Sequence, residues 1–562
     1  MQIYQIRREQ GFHTKGMIDF SPVLSELLAG LADGTTVSFE PGEYHFWPDH
    51  AVKRVMYLSN TDSVEHPQKD VAILLENKRD LTLQGNKTSF IFHGNVMMLA
   101  VLNCEGIRLE EISFDYACPS TIDATITETE LRGGDTIAAV RFPSVYCCKT
   151  DGRNALWESE RSPYTGQCYW TGANGLVLSQ HYRKDTGMVR RTGKDLFHNC
   201  AAVEKTCSNG LRLFYAGTRD IHTGDVFQMR DTVRDSSGIF ISESSNIALY
   251  GLRIGYMHGI GILCQCTENL EIGHVRFQTM DAERSTASAA DFLQVSGCKG
   301  KVWVHDSAFV NPHDDPINVH GTFLKLRKAS GRKLELQYCH PQTMGFQSVF
   351  KGDTLQFYDS GTLLSVGDPY PVLGVNGPCR EAPEWMEVEL DREFSEVSPH
   401  ALAAENISWT PDVLIENNRF EAIPTRAVLV STGGRVVIRN NRFERIHMAG
   451  IYISCDASDW YESGPVRDVS IEKNTFRSCG SYAVLVEPTN SMLCDDKKVH
   501  KNIRIAENTM IGLKPPAFRV KSADGVSILD NRVEQGGSPA NAVFTENISS
   551  NIVEKNNKII NP

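Results

Sequence analysis

Two adjacent carboxylates lie between two histidines in the stretch "NPHDDPINVHGTF" (311–323). Asp314 and Asp315 carry like charges, and burying either of them without compensation is costly. A third carboxylate, Asp291 in "ASAADFLQV", precedes them by 23 and 24 residues. Three carboxylates on one face cannot all ionise freely, so we expect a raised pKa on at least one. Glycoside hydrolysis needs such a division, with one carboxyl group as acid and another as base.

An internal repeat predicts the elements that position these side chains. Its later members read "VLIENNRF", "VVIRNNRF", "VSIEKNTF", "IRIAENTM" and "VSILDNRV", with aligned asparagines Asn418, Asn441, Asn474, Asn508 and Asn531. The steps of 23, 33, 34 and 23 residues between these asparagines favour a solenoid with coils of about 23 residues and tolerated insertions. Each member combines a short alternating strand, a polar corner and an apolar residue. This pattern predicts a parallel β-helix whose corner asparagines stack in a ladder.

The spacing of the carboxylates equals this coil period. In a parallel coil, residues one coil apart stack at about 4.8 Å. We therefore expect Asp291 to lie directly above or below the Asp314–Asp315 pair. A solvated polar turn and a calcium site are the two other interpretations of this cluster.

The chain begins with one predicted helix, with Ser21 as N-cap, Pro22 at the first helical position and an apolar stripe of Leu24, Leu27, Leu28 and Leu31. Such a helix is typical of the cap on a right-handed parallel β-helix. Two stretches with hairpin patterns interrupt the repeat, and we predict that each forms an antiparallel β-barrel. The predicted domains are the cap and first coils (1–117), a barrel (118–225), the catalytic coils (226–321), a second barrel (322–408) and the C-terminal coils (409–562).

Composition narrows the class of protein. The chain has 562 residues, a formal net charge of −12 and a pI near 5.8, which disfavours a nucleic-acid partner. No run of about 18 apolar residues predicts a membrane span, and no apolar leader opens the chain. The fifteen cysteines lack a framework spacing and are interpreted as buried thiols in a reducing compartment. We expect a cytoplasmic location, or a secreted or periplasmic one if a signal was removed.

The motifs "DFLQVSGCKGKVWVHDSAF", "HDDPINVHGTF" and "DWYESGPVRDVSI" closely resemble those of glycoside hydrolase family 110, the α-1,3-galactosidases. The resemblance runs from Gly34 to about Val533 and includes both insertions. It implies a right-handed parallel β-helix with β-barrel insertions. It also implies cofactor- and metal-independent, inverting removal of terminal α-1,3-linked galactose, as in blood group B type glycans. The family's catalytic acids fall on Asp291, Asp314 and Asp315.

These expectations assign a role to each carboxylate. Asp291 and Asp315 are predicted to form the acid–base pair, with their order open, because the inverting mechanism needs room for a water molecule between two carboxyl groups. Asp314 is predicted to position water or a sugar hydroxyl, or to share the role of the base.

The predicted sugar pocket comes from neighbouring coils. Arg426 can donate to galactose hydroxyls and hold a carboxylate ionised. Trp460 can offer a ring face to galactose, and Glu462 can accept from its hydroxyls. His313 and His320 complete the predicted substrate-binding set, although such histidines often only orient carboxylates. Asn318 is expected to belong to the corner ladder.

Other functions remain open at this point. A polygalacturonase-like hydrolase would need a denser basic lining than the sequence near Asp291 and Asp315 indicates. A polysaccharide lyase would use calcium, and a glycan-binding solenoid would bind sugar without cleaving it. The expected partner is a galactose-terminated oligosaccharide or glycoconjugate, branched and fucosylated or linear, and a homodimer is left open.

Overall fold

A parallel β-helix forms most of the molecule. The computed structural model describes residues 2–14, 16–231, 233–513, 516–535 and 543–560. Alternate side chains of the short strands face inwards, and together they form one core along the solenoid. The predicted β-solenoid is confirmed. None of the helices in these ranges is long and apolar enough to cross a membrane.

Two long sheets form the walls of the β-helix. In the described ranges the larger sheet has 25 strands, which are Gln2–Ile6, Phe12–Thr14, Met17–Asp19, Thr35–Phe39, Gly42–Phe46, Thr82–Phe92, Arg108–Tyr116, Ser245–Tyr250, Arg253–Ile254, Glu268–Gly273, Arg276–Phe277, Lys299–His305, Ala308–Val310, Asp412–Glu416, Arg419–Ile423, Arg435–Arg439, Arg442–Ile446, Asp468–Glu472, Thr475–Arg477, His500–Ala506, Thr509–Leu513, Ala523–Leu529, Arg532–Gln535, Ser550–Lys555 and Lys558–Ile560. The other, called the site sheet below, has 13 strands, which are Val52–Val55, Gln68–Glu76, Met97–Leu102, Ser237–Ser242, Ile260–Gln265, Leu293–Ser296, Ile317–Thr322, Val428–Ser431, Ile451–Ile453, Glu462–Ser463, Val484–Val486, Phe518–Lys521 and Phe544–Asn547.

Two antiparallel modules interrupt the coils where the sequence predicts insertions. The first contains a seven-stranded sheet of Ile122–Arg132, Asp135–Arg141, Leu178–Arg183, Met188–Thr192, Cys200–Cys207, Gly210–Tyr215 and Val226–Arg230, beside a small sheet of Cys147–Thr150, Ala155–Glu158 and Thr171–Ala173. The second is a closed six-stranded barrel of Leu324–Ser330, Lys333–Gln337, Thr354–Asp359, Ser365–Asn376, Trp385–Leu390 and Leu402–Asn406. A closed barrel is thus found in the second module, whereas the strand order of the first is that of an open sheet.

The predicted asparagine ladder is confirmed. Asn418 Nδ2 donates to Asn441 Oδ1 at 3.1 Å, and Asn441 Nδ2 donates to Asn474 Oδ1 at 3.0 Å. The same bond repeats in the following coils. Each buried amide also donates to a backbone carbonyl of a neighbouring coil, so the ladder satisfies the polar groups of the corner.

Aromatic rings stack beside the ladder, inside the coils. Successive rings lie 4.6 to 5.0 Å apart between centroids in the order Phe277, Phe309, Phe420, Phe443 and Phe476. This spacing matches the separation of neighbouring strands, so one phenylalanine per coil fills the core at a fixed height.

The N-terminal helix begins later than predicted. The α-helix spans Leu24–Gly30, and two 3₁₀ turns cover Arg8–Gln10 and Pro48–His50. The prediction of Ser21 as N-cap is wrong, because its hydroxyl accepts a hydrogen bond from the Trp47 amide at 2.7 Å. The predicted apolar face is present in Leu24 and Leu28, which are fully buried.

All fifteen cysteines are free thiols. Eight of them are buried, whereas Cys147, Cys207 and Cys379 are exposed. In the adjacent pair, the Cys147 thiol is exposed at the surface and the Cys148 thiol is buried in the core of the first module.

Candidate active site

Parallel register brings the predicted acids together. Leu293 pairs with Ile317 in the site sheet, and Ile317 pairs with Val428. Asp291, Asp315 and Arg426 each stand two residues before these paired positions. They therefore lie side by side on three consecutive coils, although the second module separates Asp315 from Arg426 in sequence. The predicted stacking of Asp291 on the aspartate pair is confirmed.

Arg426 holds Asp315 at two points. Its backbone amide donates to Asp315 Oδ1 at 3.0 Å, and its guanidinium Nη2 lies 2.8 Å from Oδ2. Asp315 is only 2% exposed, so this arginine supplies the charge that a buried carboxylate requires. The contact fixes the direction of the carboxylate as well as its charge.

Asp314 contacts a side chain of the first module. Its Oδ2 accepts a hydrogen bond from Arg191 Nη2, and Arg191 also donates to the carbonyl of His313 at 3.3 Å. Arg191 belongs to the strand Met188–Thr192, so an inserted module supplies the partner of a carboxylate on the β-helix.

The pKa values of the three carboxyl groups are shifted in different directions. Burial, followed by the charges of Asp314 and Asp315, raises the pKa of Asp291 well above its ordinary value. Burial also raises the pKa of Asp315 to about 6, because it outweighs the lowering effect of Arg426. Burial acts in the same direction on Asp314, but nearby arginines, with Arg191 foremost, outweigh it and lower that pKa. These opposite directions favour the proton on Asp291 and the charge on Asp314.

Two amides line the floor beside these acids. Gln294 and Asn318 are paired in register and point outwards from adjacent strands. His320 Nδ1 lies 2.8 Å from the Gly321 carbonyl, which only accepts, so Nδ1 carries the proton. His320 Nε2 therefore accepts from Gln294 Nε2 at 3.1 Å. This bond fixes the orientation of the Gln294 amide.

Glu462 joins three distant parts of the chain. Its Oε1 accepts from Asn60 Nδ2 at 2.9 Å and from Asn318 Nδ2 at 3.2 Å. The short strand that carries Glu462 pairs with Ile317–Thr322, where a Cβ on Gly321 would lie 2.4 Å from Ser463 Oγ. The glycine therefore permits the close approach that brings Glu462 to the floor. The expectation that Asn318 joins the corner ladder is wrong, because it donates to this carboxylate instead.

A carboxylate-capped turn presents Trp460. Asp456 Oδ2 accepts from the backbone amide of Trp460 at 2.6 Å and from that of Tyr461 at 3.2 Å. One face of the indole stacks on His340, with centroids 4.1 Å apart, and the Arg234 guanidinium carbon lies 5.3 Å from the ring centroid. His340 thus covers one of the two ring faces that the sequence prediction offers to galactose.

These side chains enclose two connected cavities. The inner one, of about 100 Å³, is lined by the three aspartates together with Gln294, Asn318, Arg426, Trp460 and Glu462. The outer one, of about 420 Å³, contains Arg230 and Gln342. Four residues border both cavities, and they are Arg191, Arg234, Asp314 and Trp460. A two-part site of this kind suits a terminal sugar inside and the remainder of a glycan outside.

The two predicted histidines lie behind this lining. His313 is fully buried, and its ring nitrogens have no hydrogen-bond partner. Burial lowers the pKa of His313 well below its ordinary value, so its ring is neutral. His320 is 2% exposed and contacts Gln294. Neither histidine lines the two cavities, whereas Arg426, Trp460 and Glu462 line the inner one.

Sequence reasoning missed several residues of the lining. Asn60 lies in an N-terminal loop, Arg191 and Arg230 lie in the first module, and Arg234 follows that module. The interpretation that the acids lack a dense basic lining is wrong, because it considered only nearby sequence. Gln294 had a usable signal, since strand alternation places it on the same outer face as Asn318.

Comparison with known proteins places the chain in a family. Residues 400–562 match the family described as "Right handed beta helix region". The α-1,3-galactosidase A of Peterkaempfera griseoplana is 35% identical over 93% of this chain and 75% of its own length. The α-1,3-galactosidase A of Streptomyces avermitilis is 34% identical over 94% of this chain and 87% of its own. The chain belongs to the α-1,3-galactosidase family. This is the family that the catalytic motifs resemble, glycoside hydrolase family 110.

Other proteins are less similar to this α-1,3-galactosidase family member. An α-1,3-galactosidase B from Phocaeicola vulgatus is 28% identical over 92% of this chain and 89% of its own length. A family 28 exopolygalacturonase from Yersinia enterocolitica has a TM-score of 0.42 at 10% identity, covering 98% of this chain and 78% of that one. A likeness at that TM-score carries no argument about function.

Proposed function

We propose that this protein is an exo-acting glycoside hydrolase that removes terminal α-1,3-linked galactose with inversion of the anomeric centre. Its substrates would be blood group B type glycans, linear α-galactosyl glycans or both. The supporting observation is the row of Asp291, Asp315 and Arg426 on consecutive coils, in a cavity that shares part of its lining with a larger outer cavity. The relatives named α-1,3-galactosidase supply the linkage and the sugar.

The divided pKa values suggest the roles in catalysis. Asp291, whose pKa burial raises well above its ordinary value, would protonate the leaving glycosidic oxygen, and Asp315 would act as the base that activates water. Asp314 stays ionised beside Arg191 at the junction of the two cavities, where it would accept from a sugar hydroxyl or the water. The position of Asp314 at this junction is the one feature that favours it as the acid instead.

Inversion requires the carboxyl groups of Asp291 and Asp315 to lie farther apart than the coils that carry them. Neighbouring coils are about 4.8 Å apart, whereas inverting enzymes separate their two carboxyl groups by about 6.5–9.5 Å. The clamp of Arg426 engages both oxygens of Asp315, which disfavours direct attack by this carboxylate on the sugar. A water molecule between the carboxyl groups would therefore be the nucleophile.

The binding residues complete the site. Glu462 uses one oxygen to accept from Asn60 and Asn318, which leaves the other for galactose hydroxyls. Gln294 and Asn318 each have a buried carbonyl oxygen without a partner, and Arg426 Nε is also unpaired. Small adjustments would turn these atoms towards a sugar whose rim is made of donors and acceptors.

Hydrolysis of a small substrate panel tests the proposal. Galα1-3Gal, the fucosylated B trisaccharide, Galα1-4Gal and polygalacturonate are incubated with and without EDTA, and NMR follows the first anomer released. We expect free β-galactose from the two α-1,3 substrates, unaffected by EDTA. First release of α-galactose would contradict inversion, and EDTA-sensitive cleavage of polygalacturonate alone would contradict the galactosidase function.

A further inference from the structure

A second group of ionisable side chains lies on the 25-stranded sheet, apart from the catalytic lining. Gly273 pairs with His305 across two neighbouring coils, so the residues that follow, His274 and Asp306, lie side by side. The His274 backbone amide donates to the His305 carbonyl at 3.1 Å. Two imidazoles and one carboxylate thus meet at a single corner of the β-helix.

The ligand atoms of this corner lie close enough together to bind one metal ion. One donor atom from each of His274, His305 and Asp306 lies within 4.8 Å of the other two. Asp306 Oδ2 is 2.8 Å from His305 Nδ1 and 3.9 Å from His274 Nε2. A tetrahedral ion with ligands at about 2.0–2.2 Å needs donor atoms about 3.3–3.6 Å apart, which lies between these two distances.

His305 is held in place before any ligand binds. Its ring stacks on Trp303 with centroids 4.0 Å apart, and its side chain is 7% exposed. Its Nε2 lies 3.4 Å from Glu271 Oε1, and a Cβ on Gly273 would lie 2.6 Å from the same nitrogen. Its Nδ1 donates to Asp306 Oδ2 at 2.8 Å, and a metal ion would replace that proton, while Glu271 beside Nε2 orients the ring as a carboxylate orients a ligating histidine.

We propose that His274, His305 and Asp306 form an accessory site for a borderline divalent transition-metal ion such as Zn²⁺, with water completing the coordination. Imidazole nitrogens suit Zn²⁺, Ni²⁺ and Cu²⁺, whereas Ca²⁺ and Mg²⁺ require oxygen ligands. The ion would join two successive coils and stabilise the folded chain without taking part in hydrolysis. The alternative is that the contacts of His305 with Glu271 and Asp306 only hold the corner together and that it has no affinity for metals.

Zinc binding by matched variants tests this site. Protein treated with EDTA and then dialysed is titrated with ZnCl₂ by calorimetry, and its melting temperature is measured with Zn²⁺ or Ca²⁺. We compare the natural chain with His274→Gln, Asp306→Asn and the control His198→Gln, whose imidazole is exposed elsewhere. All four chains keep the fifteen thiols and the catalytic carboxylates, so differences among them report the corner.

The expected result is a zinc-dependent rise in melting temperature in the natural chain and the control, absent with Ca²⁺. In His274→Gln and Asp306→Asn we expect at least tenfold weaker binding at this site and no such rise, with unchanged galactosidase activity. Equal zinc binding and equal stabilisation in all four chains would overturn the proposal. So would crystals grown with Zn²⁺ that show no anomalous peak between the three side chains.

Discussion

The corner ladder and the catalytic coils are built from the same stacked strands but treat polar groups in opposite ways. In the ladder, identical asparagines repeat from coil to coil, and each amide finds its partner in the next one. In the catalytic coils, charged residues stack, namely Asp291 on Asp315 and Asp315 on Arg426. Stacked amides satisfy one another because each of them both donates and accepts, whereas stacked carboxylates only accept and leave charge available to a ligand.

Keeping polar groups free to bind a ligand lowers the stability of the catalytic coils, because several of their buried polar atoms have no hydrogen-bond partner. Gln294 Oε1, Asn318 Oδ1, Arg426 Nε and both ring nitrogens of His313 are buried without a partner. An unsatisfied buried polar group costs about 1–3 kcal/mol. The remaining coils, with their shared apolar core and ladder, must supply the stability that the catalytic coils lack.

The largest expected effect is on catalysis. Asp291→Asn and Asp315→Asn should each lower kcat on α-1,3-galactosides by about 10²–10⁴-fold, because a positioned acid or base is lost. The control Asp468→Asn, at an exposed position of the C-terminal coils, should retain full activity. Near-normal activity in both site variants would remove these residues from the mechanism.

Leaving-group dependence separates the acid from the base in the same variants. An activated aryl galactoside needs little protonation, so the variant that lacks the acid should lose much less activity on it than on Galα1-3Gal. We expect this behaviour from Asp291→Asn. If Asp314→Asn shows it instead, the acid lies at the junction of the two cavities and the proposed division of roles is wrong.

A substitution in the asparagine ladder should lower stability and leave activity unchanged, the reverse of what we expect at Asp291 and Asp315. Asn441→Ala removes two donated and two accepted hydrogen bonds within the core, and should lower the free energy of unfolding by about 3 kcal/mol. Denaturant unfolding measures this change, and the exposed Asn86→Ala is the control. Specific activity of the folded Asn441→Ala protein should stay unchanged. A large fall in activity without a fall in stability would show that the two regions are coupled.

Binding should change more than catalysis at Glu462. Glu462→Gln removes the charge that Asn60 and Asn318 orient, and KM for Galα1-3Gal should rise about tenfold, as expected for a charged hydrogen bond of about 1.5–3 kcal/mol. We expect a smaller effect on kcat. The control Glu472→Gln, on the 25-stranded sheet, should change neither KM nor kcat. A loss confined to kcat would assign Glu462 to the chemical step.

Sequence periodicity was sufficient for the features that repeat. The 23-residue step predicts the coils, the ladder and the stacking of Asp291 on the aspartate pair, because all three follow from strands placed one coil apart. The same logic placed Arg426 one coil beyond Asp315 despite an insertion of 87 residues (322–408) between them.

The remaining residues of the site are brought together by contacts that do not follow the sequence repeat. Asn60 reaches Glu462 across 402 positions, and Arg191 reaches Asp314 from an inserted module. Such contacts are set by the way the modules pack on the β-helix. Ser21 illustrates a local failure of the same kind, since the Trp47 amide competes for the hydroxyl that was expected to cap the helix.

The smallest expected effect is a pair of opposite shifts in the pH profile. Asp315 must be ionised to act as base, and its pKa is about 6, so kcat/KM should fall as the pH drops below about 6. The charge of Asp314 raises that pKa and Arg426 lowers it. Asp314→Asn should therefore move the acidic limb to lower pH, and Arg426→Gln should move it to higher pH. If the acidic limbs of the two variants shift in the same direction, or do not shift, a group other than Asp315 controls the limb. The charges of Asp314 and Arg426 would then not set the pKa of the base.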